Sequence, residues 1–234
     1  MSAPFDPAVR GVLTDIDDTL TRDGVIEPEA LAALHALAAA RMPVVAITGR
    51  PAGWSEPFAR AWPVAAIVAE NGAVMLRKLS GRIGHGPSDH LQVDFIDDAA
   101  TRTLNMQRLK ACASAVCGEV PGATLAQDSS GRLTDIAIDH SEFTQLSDAQ
   151  IAQVVAVMQR HGLSATVSSI HINGWIGKHS KLSGARWAVE QALGLAFEPG
   201  EWMYVGDSTN DQLMFQHIAH SVGVANIARF LPQL

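Results

Sequence analysis

The sequence predicts an α/β fold, a parallel sheet with covering helices that is interrupted by an α+β insertion. Three observations carry this. Short apolar runs alternate with segments of helical period toward both ends of the chain; the texture turns Gly-, Pro- and polar-rich after Asn71-Gly72; and the alternation resumes before Lys181. With 234 residues, 47% of them apolar, the chain can bury one large core, or a core and a smaller second one.

The elements follow in order. Residues 11–14 form a short apolar run ending in acids, and 28–41 reads as a helix, because Leu31, Leu34, Leu37 and Ala38 share a face after the start signal Glu27-Pro28. A strand is expected at 44–48, then an irregular helix containing Trp and Pro, then a strand at 65–69. After the turn dipeptide Asn71-Gly72, 73–78 reads as a strand and 80–89 as a loop-like break. The insertion is expected to hold helices at 97–117 and 148–160, and strands near Thr124 and at 133–139, 165–169 and 171–176. The α/β pattern returns with a helix at 179–193, a strand at 202–205, a helix after Asn210 and a strand at 221–225. The domain expectation is therefore a discontinuous core, 1–75 with 177–234, and a cap, 76–176.

Composition excludes several classes of function. A formal net charge of -7 leaves no broad basic surface for a nucleic acid or an anionic membrane. Cys112 and Cys117 fall on different faces of one expected helix, so neither a disulfide framework nor a zinc site follows. Residues 1–10 lack a basic segment leading into an apolar run, and no uncharged stretch reaches membrane-spanning length. A cytoplasmic setting is expected.

The chemistry sits at strand ends. The run 12–14 delivers Asp15-Ile16-Asp17-Asp18-Thr19 to the edge where parallel sheets bind ligands. Carboxylates this close are costly to keep ionised without a cation, and an all-oxygen set favours Mg²⁺. A second strand end, Gly206-Asp207-Ser208-Thr209-Asn210-Asp211, offers more acids for the same site. Either segment alone could be a helix cap; two on one sheet support each other. Thr48-Gly49-Arg50 supplies a hydroxyl, a permissive amide and a guanidinium suited to phosphate oxygens, and Lys181 opens a helix whose amides favour an anion.

This ordered set resembles the four motifs of the haloacid dehalogenase-like hydrolases. The insertion after Glu70-Asn71-Gly72-Ala73 resembles the α/β cap of subfamily IIB, the type that includes sucrose-phosphate phosphatase, mannosyl-3-phosphoglycerate phosphatase and phosphomannomutase. The resemblance implies a Rossmann-like core and a Mg²⁺-dependent phosphatase acting on a small phosphate monoester of the sugar-phosphate kind. It implies Asp15 as nucleophile, passing through an aspartyl-phosphate, and Asp17 as general acid and base, with Thr48 and Lys181 holding the phosphoryl group. The implied metal set is Asp15, Asp17 through its backbone carbonyl, Asp207 and Asp211, the last directly or through water. The implied substrate-binding set is Thr48, Gly49, Arg50, Asn71, Lys181 and Asn210.

Two departures from the family pattern stand out. Leu182 replaces the usual glycine after the motif lysine, with Lys178 a competitor for that role, and relatives usually continue further beyond Val224-Ala225-Asn226. The last core element is thus expected to be missing or supplied differently. Within the insertion, His171, Asn173 and Trp175 alternate on one strand face, where they either touch substrate or serve packing and hinge contacts. A phosphomutase is the alternative enzyme. A phospho-receiver module uses similar residues but is smaller, with its acceptor on a later strand, and a retired scaffold that only binds would not need every motif side chain.

Overall fold

The computed structural model describes residues 9–79, 82–83, 86–87 and 90–231. Most of 80–89 lies outside them, as do 1–8 and 232–234, where the readings of the two chain ends fall.

The first core segment runs β1 (Gly11–Thr14), a hairpin of β2 (Thr21–Arg22) and β3 (Val25–Ile26), α1 (Pro28–Ala39), β4 (Val44–Ile47), α2 (Ala52–Ala61) and β5 (Ala66–Ala69). Every residue of β1, β4 and β5 is buried. That is why these strands read as unbroken apolar runs: helices cover both faces of the sheet, so neither face needs polar residues. The hairpin was not anticipated; it turns at Asp23-Gly24, both at positive φ, as tight two-residue loops require. The irregular helix α2 carries Pro57 inside it. The chain then turns back through β6 (Val74–Lys78), the short pair β7 (Arg82–Ile83) and β8 (Gly86–Pro87), and β9 (Leu91–Phe95).

The insertion comprises α3 (Ala99–Glu119), β10 (Thr124–Leu125), β11 (Asp135–Asp139), α4 (Asp148–Arg160), β12 (Ser164–Val167) and β13 (His171–Trp175). The core resumes with α5 (Lys181–Ala192), β14 (Trp202–Gly206), α6 (Gln212–His217) and β15 (His220–Gly223). The large sheet has the order β15-β14-β1-β4-β5-β6-β9, parallel from β15 to β5 and antiparallel at β6 and β9. From β1 the chain builds outward through β4 and β5, and later returns to β1's other side as β14. The switch in direction therefore lies beside β1, where a crevice opens at the strands' carboxyl ends.

The insertion is a separate antiparallel sheet, β10-β11-β13-β12. Leu109, Cys112, Val116, Ile138, Val154, Met158 and Ile172 form a core of their own, with α3 and α4 packed on one sheet face. Burying each large apolar side chain there contributes about 1.5–3 kcal/mol. Cys117, on the other side of α3, is exposed.

One difference from the sequence expectation concerns where the insertion begins. Residues 76–95, counted with the cap, include β9 and most of β6, which hydrogen-bond into the large sheet. Leu91, Val93 and Phe95 alternate with Gln92 and Asp94, a strand signal masked by the loop-like texture before it.

Candidate active site

Asp15 leaves β1 with its amide bonded to Val205 O of β14 (2.8 Å), which fixes it at the sheet's switch point. Lys181 reaches it from the first turn of α5. Ser180 and Ser183 cap that helix reciprocally, Ser183 Oγ accepting from Ser180 N at 2.8 Å. The helix can start so close to the sheet because Gly72 and Gly184 touch: a Cβ on Gly184 would lie 2.6 Å from Gly72 Cα. Lys181 Nζ then donates to Asp15 Oδ1 (2.5 Å), Asp211 Oδ1 (2.6 Å) and Asn210 Oδ1 (3.2 Å). Lys178 is exposed.

Asp15, Asp207 and Asp211 each offer a buried carboxylate oxygen within 4.8 Å of the others. Burial pushes the Asp15 carboxyl well above its ordinary range; Lys181 pulls it down, and Asp211, Asp207 and Asp17 push it up again. One ammonium among several acids leaves negative charge uncompensated. An oxygen-coordinated divalent cation fits that donor set.

The four acids do not play equal parts. Asp211 is saturated: its Oδ1 accepts from Lys181 and from Tyr204 Oη (2.6 Å), and its Oδ2 from the backbone amides of Asp207 (2.9 Å) and Ser208 (3.2 Å). It shapes the loop, which passes so near that a Cβ on Gly206 would lie 2.6 Å from Asp211 Oδ2. Asp207 accepts from Asn226 Nδ2 at 2.7 Å, a contact the sequence did not suggest. The Asp17 carboxylate is not in the cluster; it accepts from Arg50 Nε (2.8 Å) and Thr48 Oγ1 (3.1 Å).

Arg50, expected at the phosphate, is held instead by acids on both sides of the crevice. Beyond Asp17, its guanidinium bonds Glu142 (2.8 Å) and Asp128 (3.2 Å) of the insertion, and its face lies over Trp54. Glu142 also accepts from His171 Nε2 (2.8 Å). Burial raises the Glu142 carboxyl, but the hydrogen bonds from His171 and Arg50 outweigh it and hold it down at about 2. A second clamp joins Arg132 Nη1 to Gly49 O (3.0 Å) and to Asp135 (2.9 Å), with Asn173 Nδ2 donating to the same Gly49 O (3.1 Å). In a third, Glu70 of the core accepts from Thr134 N at 2.6 Å and from Leu133 N and Ala52 N at 3.0 Å. Glu70, Asn71 and Gly72 all have positive φ. Glycine adopts that region freely and asparagine readily, so the strain falls on Glu70, the residue that forms the clamp.

Of the expected substrate-facing residues, Gly49 and Asn210 line the crevice with Asp15, Lys181 bonds Asp15, and Thr48 bonds Asp17. Asn71 is buried with its Oδ1 3.2 Å from where a Gly49 Cβ would sit, and its Nδ2 finds no acceptor among the described residues. His171 and Asn173 face the crevice, whereas Trp175 serves the return connection, its Nε1 donating to His179 O (3.1 Å). The crevice between Asp15, Asp17 and Arg50 below and Ser168, Ser169 and His171 above encloses about 10 Å³, space for about one water molecule.

Sequence reasoning missed Asp128, Arg132 and Glu142, which lie 78 and 92 residues from Arg50 (Asp128 and Glu142) and 83 from Gly49 (Arg132). No local pattern marks them.

Residues 12–101 match the family model of the haloacid dehalogenase-like hydrolases. No curated protein sequence matches the chain. Among solved structures it is similar to Thermoplasma acidophilum protein 0175 at 15% identity and a TM-score of 0.71, over 94% of this chain and 88% of that one. It is also similar to the sucrose-phosphatase of Synechocystis, solved with sucrose and phosphate, at 17% identity and a TM-score of 0.64, over 93% and 84%. A third is the C-terminal domain of C. albicans trehalose-6-phosphate phosphatase, at 13% identity and a TM-score of 0.65, over 90% and 74%. At such identities the likeness is one of fold. Among the described residues no helix is long and apolar enough to cross a membrane. With its motifs meeting at one edge of a sheet of this architecture, the chain is similar to the haloacid dehalogenase-like hydrolases, over residues 12–101 in sequence and over nearly its whole length in fold.

Proposed function

We propose that this chain is a Mg²⁺-dependent phosphatase that hydrolyses a small phosphate monoester of the sugar-phosphate class through an aspartyl-phosphate on Asp15. The observation that carries the reading is the buried Asp15 carboxylate, paired to Lys181 at 2.5 Å and facing Asp207 at the sheet's switch point. The sucrose-phosphatase and trehalose-6-phosphate phosphatase folds support the substrate class.

In this mechanism Asp15 Oδ attacks phosphorus in line with the leaving oxygen, whose alkoxide takes a proton from Asp17. Lys181, the Thr48 hydroxyl and the Asn71 amide hold the equatorial oxygens. Asp17, now a carboxylate, then takes a proton from the water that attacks the phosphoryl-aspartate, which frees Asp15 and releases inorganic phosphate. Mg²⁺, when bound, supplies the positive charge that lets an anionic nucleophile approach an anionic ester. Asp15, Asp207 and the backbone carbonyl of Asp17 would hold it, with Asp211 fixing the loop behind them.

The crevice is too small for a sugar phosphate, so substrate entry requires the cap to lift. Ala99–Trp175 would move as a unit on the connections 96–98 and 176–180, breaking the Arg50–Glu142 and Arg132–Gly49 contacts. Arg50 released from Glu142 becomes available to the substrate while still orienting Asp17.

A screen of phosphate monoesters with Mg²⁺ tests the reading through release of inorganic phosphate. Isomerised sugar phosphate without release would assign a phosphomutase instead. EDTA is expected to stop turnover and Mg²⁺ to restore it, with Ca²⁺ a poor substitute because its larger, looser coordination misplaces nucleophile and phosphate. Undiminished activity after exhaustive chelation would overturn the metal assignment.

The cap's part is tested by a ratio. His171→Ala should lower kcat/KM for a sugar phosphate more than for p-nitrophenyl phosphate, whereas Thr48→Val should lower both alike, since every substrate presents the same phosphoryl group. Equal losses for His171→Ala would assign His171 to support of Glu142 alone.

A further inference from the structure

A larger cavity, about 750 Å³, lies in the cap and shares no residue with the crevice. It opens between the first half of α3 and the turn 127–131, and its size falls within the range of small-molecule sites. Arg102, Met106 and Lys110 reach it from one face of α3, spaced four residues apart. Leu125 and Leu133 form an apolar wall, each more than 40% exposed. The floor is the Arg132–Asp135 pair.

The charge in this cavity is unbalanced. Arg102, Lys110 and Arg132 line it against one acid, Asp135, which Arg132 already neutralises. Neither Arg102 nor Lys110 has an ion pair among the described residues. The Arg102 guanidinium is stacked 3.5 Å over the Phe95 ring, which fixes its plane, and its Nε is buried with no acceptor. A buried donor without a partner is costly, but this Nε is sealed from solvent, so the positive charge the cavity offers is that of Lys110 and of the part of Arg102 that lines it. Arg102 is offset only by Asp98 at the exposed start of α3, one helical turn away, which leaves Lys110 without a nearby acid in the cavity lining.

We propose that this cavity binds a small amphipathic organic anion, its charged head held by the Arg102–Lys110 face of α3 and its apolar body on Leu125 and Leu133. Occupancy reaches the active site through Arg132. That one guanidinium lines the cavity, donates to Gly49 O at 3.0 Å, and bonds Asp128, which in turn holds Arg50. An anion drawing Arg132 toward the cavity loosens the clamp between cap and core, so the site is an effector site for cap opening.

The test uses 8-anilinonaphthalene-1-sulfonate, an amphipathic anion that fluoresces when bound to apolar surface, on the full chain. One probe per chain is expected, bound independently of saturating inorganic phosphate and displaced by octanoate or octylphosphonate but not by octanol. The more effective acid identifies the head group as carboxylate or phosphate. Lys110→Glu, at an exposed position, and Arg102→Gln should each weaken binding about tenfold or more while leaving hydrolysis without effector unchanged. Octanoate should change kcat/KM of the wild type at least about twofold and leave Lys110→Glu unaffected. Probe binding that is absent, competed by phosphate, or equal in both variants overturns the site. Binding with no effect on kcat/KM overturns the coupling. The binding arms need no turnover, so their failure is separable from failure of the phosphatase reading.

Discussion

Asp15→Asn is expected to lower phosphate release by at least about 10³-fold while the fold survives, because the substitution removes the proposed nucleophile and nearly keeps its shape. The expected structural effect is small. Asp15 sits where burial and three neighbouring acids already oppose its charge, so an amide relieves repulsion while weakening the contact to Lys181. A thermal midpoint within a few degrees of wild type, together with lost turnover in single-cycle and steady-state assays, checks the prediction. Wild-type-like turnover by the folded variant would transfer the nucleophile to another residue.

Lys181→Met should damage both activity and stability. The ammonium is buried and bonded to Asp15, Asp211 and Asn210. Without it, the acid cluster keeps its charge repulsion in a water-poor site. Breaking a buried pair by removing one partner costs about 3–5 kcal/mol. Loss of a group proposed to hold phosphoryl oxygens should cost at least about 10²-fold in kcat/KM on every ester, artificial or natural. Urea unfolding in EDTA measures the first effect and initial rates the second. Mg²⁺ should recover part of the lost stability, because a cation that binds only the folded cluster favours that state. A variant as stable as wild type in EDTA would show that Lys181 is not the counter-charge of the cluster.

Much of the fold was legible because its signals are local. Strands β1, β4 and β5 are buried on both faces and so appear as unbroken apolar runs, and α4 begins and ends where its Ser147 cap and helical period place it, at 148–160. The motif segments were legible for a related reason: a parallel sheet presents its ligands from short segments just after strand ends, so Asp15, Thr48 and Asp207 each follow an apolar run. β9 escaped because five residues of alternating pattern carry little signal beside a loop-like stretch, and only pairing with β6 assigns them to the large sheet.

The sequence by itself therefore determined the α/β core, the presence of an inserted α+β unit and the segments that meet at the crevice. Tertiary structure alone decided which partners their side chains take. It turned Asp17 toward Arg50 and Thr48 rather than into the carboxylate cluster, saturated Asp211 with four donors, and brought Glu142, Asp128 and Arg132 across the crevice to the Thr48-Gly49-Arg50 turn. The physical reason is that propensity and periodicity act over a few residues, whereas a buried charge takes whichever partner the sheet order brings within about 3 Å. For Arg50 one such partner, Glu142, is 92 residues away, in the bend that follows β11 of the separate antiparallel sheet.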